Sequence, residues 1–141
     1  MIIGFTGTRE GMTSKQYQTV VRLLGELKPD TVVHGDCYGS DTDFHKICMK
    51  IKGGILGNNP PSIVIRPSNL STRAHNDGAD IIHPEKAPLN RDLDIAQNCD
   101  KLIATPRQDT EVLRSGTWTT IRYARRFGKV IYIVKTNGEI A

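Results

Sequence analysis

Short apolar runs alternate with longer amphipathic segments along this chain. The apolar runs, each four or five residues long, cover residues 2–6, 31–34, 62–66, 101–105 and 130–134. Runs of this length are typical of buried strands, and their regular alternation with helical patterns is typical of parallel strands joined by helical crossovers. The pattern therefore predicts an α/β fold with five parallel strands.

Four segments around these runs carry apolar residues at helical spacing. The first has Thr13 followed three residues later by Gln16, which is a capping-box pattern, and it stops at Pro29. Ser40 is predicted to cap the second helix, which ends at the Gly53-Gly54 pair. The third helix is predicted to start at Pro88 and to reach about Ala96, and the fourth to run from about Gly116 to Phe127.

Right-handed crossovers between these strands permit a doubly wound, mostly parallel Rossmann-like sheet in the order 3-2-1-4-5, with helices on both faces. The 141 residues suit a single domain, in which only the segment 67–88 lacks clear periodicity. Because loops longer than about 15 residues are usually lids or binding loops, we expect this segment to contact a ligand. The switch point of the sheet lies between the first and fourth strands, and ligands bind there at the strand carboxyl ends.

The segment that enters the last predicted helix has the properties of an anion site. The first amides of a helix lack intrahelical acceptors, and the helix dipole places partial positive charge there. Arg114 comes first, Gly116 allows an oxyanion to approach closely, and Ser115 and Thr117 add hydroxyl groups. The sequence therefore predicts that a phosphate binds at this helix start.

Two further glycine-bearing loops lie at the same edge of the predicted sheet. In the first, Gly7 permits a tight turn, Thr8 offers a hydroxyl, and Arg9 presents a fork to phosphate oxygens. The glycines of the second loop are interpreted as points where the backbone approaches the ligand, and its two aspartates as partners of ribose hydroxyls. The candidates in this second loop are Gly35, Asp36, Cys37, Gly39, Ser40 and Asp41.

Some candidates have a second interpretation. Asp41, in the first turn of a helix, would also compensate the helix dipole. Asn90 and Arg91 begin the third helix, and Arg91 is either a second phosphate clamp or the partner of Asp94 or Glu85 in a surface ion pair. Both interpretations stay open for each residue.

The amino-acid composition limits the kinds of ligand, metal site and cellular location that are expected for this protein. Lys and Arg number 19 against 15 Asp and Glu, a net charge of +4 that mildly favours anionic ligands. Three scattered cysteines without a C-x-x-C pair indicate neither a disulfide framework nor a zinc site, and Cys37 is interpreted as a small packing residue instead of a nucleophile. The lack of a long apolar run favours a soluble, cytoplasmic protein without membrane contact. No metal ion and no cofactor are expected.

Four motifs resemble those of the SLOG superfamily, the Rossmann-like group that includes the Lonely-guy phosphoribohydrolases and the DNA-processing protein A family. They are GFTGTR at 4–9, HGDCYGSD at 34–41, NRD at 90–92 and RSGTWTTIRYA at 114–124, and they span nearly the whole chain. The similarity is greatest to small stand-alone bacterial and phage members. The resemblance implies a pocket for a nucleotide or nucleotide derivative, built from the first, second and fourth motifs, in a homodimer or larger assembly.

One departure from the family bears on catalysis. The Lonely-guy hydrolases carry a glutamate three residues after the Gly-Thr of the last motif, where this chain has Thr120. Cleavage of an N-glycosidic bond requires a carboxylate near the developing positive charge, and a hydroxyl does not replace it. The sequence therefore favours a non-catalytic protein that binds a nucleotide as a sensor, carrier or sequestering protein.

Two alternatives stay open. A nucleotide N-glycosidase would use Asp41 or Glu111 as its carboxylate. A single-stranded DNA binder, the less favoured partner class, would use the basic side of the last helix, where Trp118 lies among Arg122 and Arg125.

Overall fold

The computed structural model describes residues 1–52 and 60–141, which form four helices and six strands. In chain order these are β1 (Ile2–Gly7), α1 (Ser14–Leu27), β2 (Thr31–His34), α2 (Ser40–Lys52), β3 (Ser62–Ile65), β4 (Ile81–Ile82), α3 (Pro88–Gln97), β5 (Lys101–Thr105), α4 (Gly116–Arg126) and β6 (Val130–Ile133). Within these two ranges, none of the helices combines the length and the apolar character needed to cross a bilayer.

The six strands form one parallel sheet in the order β4-β3-β2-β1-β5-β6. The predicted Rossmann-like order of the five long strands is confirmed. The predicted number is wrong, because β4 adds an edge strand to β3 from within the segment 67–88. Only Ile81 and Ile82 form β4, and two apolar residues are too few to produce a recognisable strand pattern.

Local sequence explains where the first two helices begin. The Oγ1 of Thr13 accepts a hydrogen bond from the Gln16 amide at 3.1 Å, and the Thr13 amide donates to Gln16 Oε1 at 2.9 Å, so the capping box is confirmed. The prediction that Ser40 caps α2 is wrong, because Ser40 is the first helical residue and Gly39 precedes it with a φ of 86°. The predicted end of α2 at Gly53-Gly54 lies outside the described residues.

Two apolar clusters lie on opposite faces of the sheet, as expected from the alternation of side chains along each strand. On one face α1 and α2 cover the sheet, and the rings of Phe5 and Phe44 stack with centroids 4.2 Å apart. On the other face α3 and α4 contribute Ile95, Trp118 and Ile121 to the core. Both faces of the sheet are therefore buried, which leaves its edges and its carboxyl ends open.

Candidate functional site

A cleft of about 320 Å³ lies at the carboxyl ends of β1 and β5, beside the starts of α2, α3 and α4. This is the predicted switch point, where neighbouring crossovers leave the sheet in opposite directions. Eleven of the fifteen predicted binding residues line it: Gly7, Thr8, Arg9, Gly35, Cys37, Asp41, Arg91, Arg114, Ser115, Gly116 and Thr117. The other four candidates, Asp36, Gly39, Ser40 and Asn90, are not among the residues that line the cleft.

The start of α4 opens into this cleft with unsatisfied backbone donors. Ser115 caps the helix, because its Oγ accepts a hydrogen bond from the Trp118 amide at 3.2 Å. The amides of Gly116 and Thr117 have no acceptor among the described residues. A Cβ added at Gly116 would meet only Asp92 Oδ2, at 3.8 Å. Side chains therefore leave these two amides accessible to an oxyanion.

Arginines supply positive charge on the walls of the cleft. Arg9 and Arg114 are both exposed and, in the described parts of the chain, neither lies in an ion pair. Arg107 differs, because its Nη1 lies 3.1 Å from Glu10 Oε1, and that carboxylate also accepts a hydrogen bond from the Thr8 hydroxyl. Two cations thus remain uncompensated at the mouth of the cleft.

Arg91 lies deeper and is held on several sides. Its Nη1 donates to the Gly35 carbonyl at 2.8 Å, its Nε donates to Asp92 Oδ1 at 2.8 Å, and its Nη2 lies 3.6 Å from Cys37 Sγ. The predicted alternative of an ion pair with Asp94 or Glu85 is wrong, because the acidic partner is the adjacent Asp92.

Two buried carboxyl groups face the cleft beside Arg91. Burial raises the pKa of Asp41 to about 6, although Arg91 and the Cys37 amide, which donates to Asp41 Oδ2 at 3.0 Å, act in the opposite direction. Burial also raises the pKa of Asp92, against the lowering effects of Arg91 and of the Thr120 hydroxyl. Burial therefore disfavours the charged form of both carboxyl groups relative to aspartates in solvent.

The glycines of this region approach protein atoms. A Cβ at Gly35 would lie 2.1 Å from Arg91 Nη1, and one at Gly39 would lie 2.1 Å from the Arg9 carbonyl oxygen. A Cβ at Gly7 would lie 2.4 Å from the side chains of Ser40 and Thr105. The interpretation that Gly39 brings backbone to a ligand is therefore corrected, since its missing side chain makes room for the backbone of Arg9, in the loop after β1.

Asp36 anchors the segment 67–88. Its carboxylate accepts hydrogen bonds from Arg73 Nε at 3.2 Å and from the amide and Nδ2 of Asn76 at 2.9 and 2.8 Å. It is buried and has a φ of 60°, which turns it away from the cleft. None of the residues of this segment lines the cleft, and the expectation that the segment contacts a ligand stays a prediction.

A chain of hydrogen bonds through two histidines continues this anchoring. The Asp36 amide donates to His34 Nδ1 at 3.0 Å, His34 Nε2 lies 2.9 Å from His45 Nδ1, and His45 Nε2 lies 2.6 Å from the Asp77 carbonyl. Because His34 Nδ1 accepts, its proton lies on Nε2, and His45 likewise carries its proton on Nε2. Burial lowers the pKa of His34 to about 3, so this ring is neutral. Sequence spacing alone did not reveal this pair.

Cys37 is half-buried between Asp41 and Arg91. Burial and the neighbouring Asp41 raise the pKa of its thiol, with Arg91 opposing them. A raised pKa disfavours the thiolate that a nucleophile requires, which agrees with the interpretation of Cys37 as a packing residue.

Of the residues behind the two alternative functions, Asp41 lines the cleft, whereas Glu111, Trp118 and the two candidate arginines of α4 do not. Glu111 is exposed and pairs with Arg122 and Arg125 at 3.2 and 2.9 Å. Trp118 is buried, and its indole nitrogen donates to the Gln108 carbonyl at 3.2 Å. The interpretation of Trp118 as an accessible aromatic among cations is therefore wrong, because α4 presents it to the core.

Comparison with known proteins identifies the architecture. No protein-family model matches the sequence, and no curated protein matches it significantly. The molybdenum cofactor binding protein from the phototrophic bacterium Rippkaea orientalis has a similar structure, with a TM-score of 0.66 and 17% sequence identity over 95% of this chain and 76% of that chain. The shared fold is Rossmann-like. At this identity the similarity extends to the fold alone.

Five polar residues of the cleft were missing from the predicted set: Thr6, Glu10, Asp92, Arg107 and Gln108. Asp92 follows Arg91 directly at the start of α3, so its place in the motif at 90–92 was an available signal. Arg107 and Gln108 follow β5, and their position just beyond a strand carboxyl end would have identified them. In the described ranges, no cluster of three His, Cys, Asp or Glu side chains has the arrangement of a metal site.

Proposed function

We propose that this protein binds a nucleotide or nucleotide-derived ligand, with a phosphate seated at the start of α4. The observation that carries this proposal is the pair of unsatisfied amides at Gly116 and Thr117, which open into a cleft at the switch point. Arg9 and Arg114 add two cations without carboxylate partners. The absence of a carboxylate at Thr120 favours a sensor, carrier or sequestering protein over an enzyme.

Other properties of the cleft support the same proposal. Its volume of about 320 Å³ is within the range of small-molecule pockets. All four motifs that resemble the SLOG superfamily contribute residues to its lining, and membership of that superfamily is part of the proposal. The structural neighbour is named for binding a molybdenum cofactor, so a protein with this fold binds a small molecule.

Native mass spectrometry of the protein purified from cells tests this function. We expect a bound small molecule whose mass identifies it as a nucleotide, a nucleotide derivative or a molybdenum cofactor, and the same spectrum counts the subunits of the expected homo-oligomer. Calorimetric titration with the four common ribonucleoside monophosphates provides a second measurement. Unliganded protein combined with no heat of binding from any of the four would contradict the proposal.

The second candidate function is hydrolysis of a nucleotide N-glycosidic bond. It is favoured by the presence of two buried carboxyl groups with raised pKa, Asp41 and Asp92, in the cleft. Incubation with the same monophosphates followed by chromatography for free base distinguishes it from binding alone. We expect no free base, and base release that Asp41→Asn abolishes would establish the hydrolase instead.

Binding of single-stranded DNA has less support. Trp118 is not available for base stacking, and Arg122 and Arg125 are engaged by Glu111. If α4 nevertheless bound DNA, the double substitution Arg122→Ala and Arg125→Ala would weaken that binding and reduce its dependence on salt.

A further inference from the structure

A second cavity, of about 220 Å³, lies at the same edge of the sheet as the cleft but further along it. Arg66 enters it from the carboxyl end of β3, His83 from the residue after β4, and Lys86 from the approach to α3. Arg91 lines both this cavity and the cleft. The two spaces are therefore neighbours on either side of one guanidinium group.

The charges around this cavity are unbalanced. Arg66 and Lys86 share a single carboxylate, because Asp94 Oδ2 lies 3.7 Å from Arg66 Nη1 and 2.5 Å from Lys86 Nζ. The nearest other acidic side chain in sequence, Glu85, pairs with Arg73. The charge of Arg91 is compensated by Asp92 in the cleft. One positive charge therefore remains without a partner at this cavity.

Arg66 also has a buried donor with nothing to bond. Its side chain is only 20% exposed, and its Nε has no hydrogen-bond partner within residues 1–52 and 60–141. Burying a cation without full pairing costs free energy, and so does burying a donor without an acceptor. An oxyanion in the cavity would relieve both costs, since a tetrahedral oxyanion offers several acceptors to a guanidinium group.

We propose that this cavity is a second anion subsite, which takes a phosphate-class oxyanion held by Arg66, Lys86 and His83. The volume of about 220 Å³ leaves room for such a group, since a single water needs far less. The oxyanion is either a second phosphate of the ligand in the cleft or a separate phosphate ion. The subsite itself does not depend on the phosphate site at α4.

Titration of isotope-labelled protein with inorganic phosphate, followed by NMR, tests the subsite. We expect saturable shifts of the Arg66 Nε–H signal and of the His83 ring signals. These shifts should persist in Gly116→Asp and in the surface control Arg22→Gln, whose side chain pairs only with Glu26. The shifts of the His83 ring signals should disappear in Arg66→Gln. Lys86→Met, which changes a half-exposed side chain, should weaken phosphate binding about tenfold and gives the answer if Arg66→Gln does not fold.

Phosphate that shifts the Gly116 amide but leaves the Arg66 and His83 signals unchanged would overturn the second subsite and leave the proposed function intact. The reverse result would support the subsite and count against the α4 site. Calorimetry with adenosine monophosphate and adenosine 3′,5′-bisphosphate separates the two sources of the oxyanion. A bisphosphate that binds about tenfold more tightly, with the advantage lost in Arg66→Gln, indicates one ligand spanning both sites. Equal affinities indicate a separate phosphate ion.

Discussion

The starts of α2 and α4 look alike in sequence and differ in structure. Each follows a polar, glycine-bearing loop at the carboxyl end of a strand, and each was predicted to meet a ligand. At α4 the amides of Gly116 and Thr117 have no acceptor among the described residues, and a Cβ added at Gly116 would make only an ordinary van der Waals contact, with Asp92 Oδ2 at 3.8 Å. At α2 the space beside Gly35 and Gly39 is filled by Arg91 and by the backbone of Arg9.

This difference shows that a glycine in a loop can indicate a close contact with its backbone, but not whether a ligand or another part of the protein makes that contact. The second loop uses its glycines and Asp36 to join β1, α3 and the segment 67–88 to one another. The loop before α4 makes no comparably close contact at Gly116, where we propose that a phosphate binds. The predictions below separate these two uses of the same residue type.

Gly39→Ala should have the largest effect, on folding stability. The alanine would combine an unfavourable φ of 86° with a Cβ placed 2.1 Å from the Arg9 carbonyl oxygen. The expected loss is about 4 kcal/mol in the free energy of unfolding, measured by urea denaturation. The matched control is Gly25→Ala in α1, where a Cβ meets nothing within 4 Å and should stabilise the protein by about 0.5–1 kcal/mol. Equal stabilities for the two variants would contradict the packing role assigned to Gly39.

Asp41→Asn should change how stability depends on pH. Because the folded protein raises the pKa of Asp41 from an ordinary 3.8 to about 6, this group favours folding below pH 3.8 and loses that contribution as the pH rises through about 6. The asparagine variant avoids this loss and keeps an acceptor for the Cys37 amide. It should exceed the wild type by up to about 3 kcal/mol at pH 7.5, with the gap closing towards pH 4.

The opposite pH dependence of His34 is present in both proteins and cancels in this comparison. With its pKa lowered from 6.5 to about 3, His34 stabilises the fold above pH 6.5 and loses that contribution as the pH falls towards 3. A stability difference between wild type and Asp41→Asn that stays constant from pH 4 to pH 7.5 would show that Asp41 is not desolvated in solution.

Gly116→Asp should abolish ligand binding while preserving the fold. The new carboxylate would occupy the space in front of the two amides and repel a phosphate there. We expect at least a hundredfold loss of affinity, about 2.7 kcal/mol, for the ligand that native mass spectrometry identifies. Gly116→Ala is the control for added bulk, and both variants should unfold within about 1 kcal/mol of wild type because the site has room for a side chain. Undiminished affinity in Gly116→Asp would refute the phosphate seat.

Ser115→Ala should have the smallest effect. It removes the acceptor of the Trp118 amide and should lower the free energy of unfolding by about 1 kcal/mol, as measured by urea denaturation. Ser115→Asp restores an acceptor and should recover stability. A variant with alanine that is as stable as wild type would mean that water replaces the cap at no cost.

The fold followed from the sequence because strand and helix periodicities are strong in long elements. The five long strands, the Thr13 capping box and the position of the switch point were all predicted from pattern alone. The two-residue β4 was not, because so short a strand has no periodicity to detect.

The positions of individual side chains were predicted less well from the sequence, because they depend on contacts between distant parts of the chain. Asp36 and Asp41 are the same type of residue and lie close together in sequence, yet only Asp41 lines the cleft. Asp36 is turned away because Arg73 and Asn76, about 40 residues later, provide its partners. No local sequence pattern predicts these contacts of Asp36 with Arg73 and Asn76.

The hydrogen bonds of His34 and His45 limit which residues can replace them. Each ring must accept one hydrogen bond and donate another, and all the donors point in one direction, from the Asp36 amide towards the Asp77 carbonyl. A replacement preserves these hydrogen bonds only if its side chain both donates and accepts, as that of glutamine does. Phenylalanine, an aromatic residue of similar size, would leave the polar atoms on both sides of it without a hydrogen-bond partner. Because both rings are also buried and His34 packs against Phe44, the region constrains the shape of a replacement as well as its hydrogen-bonding groups.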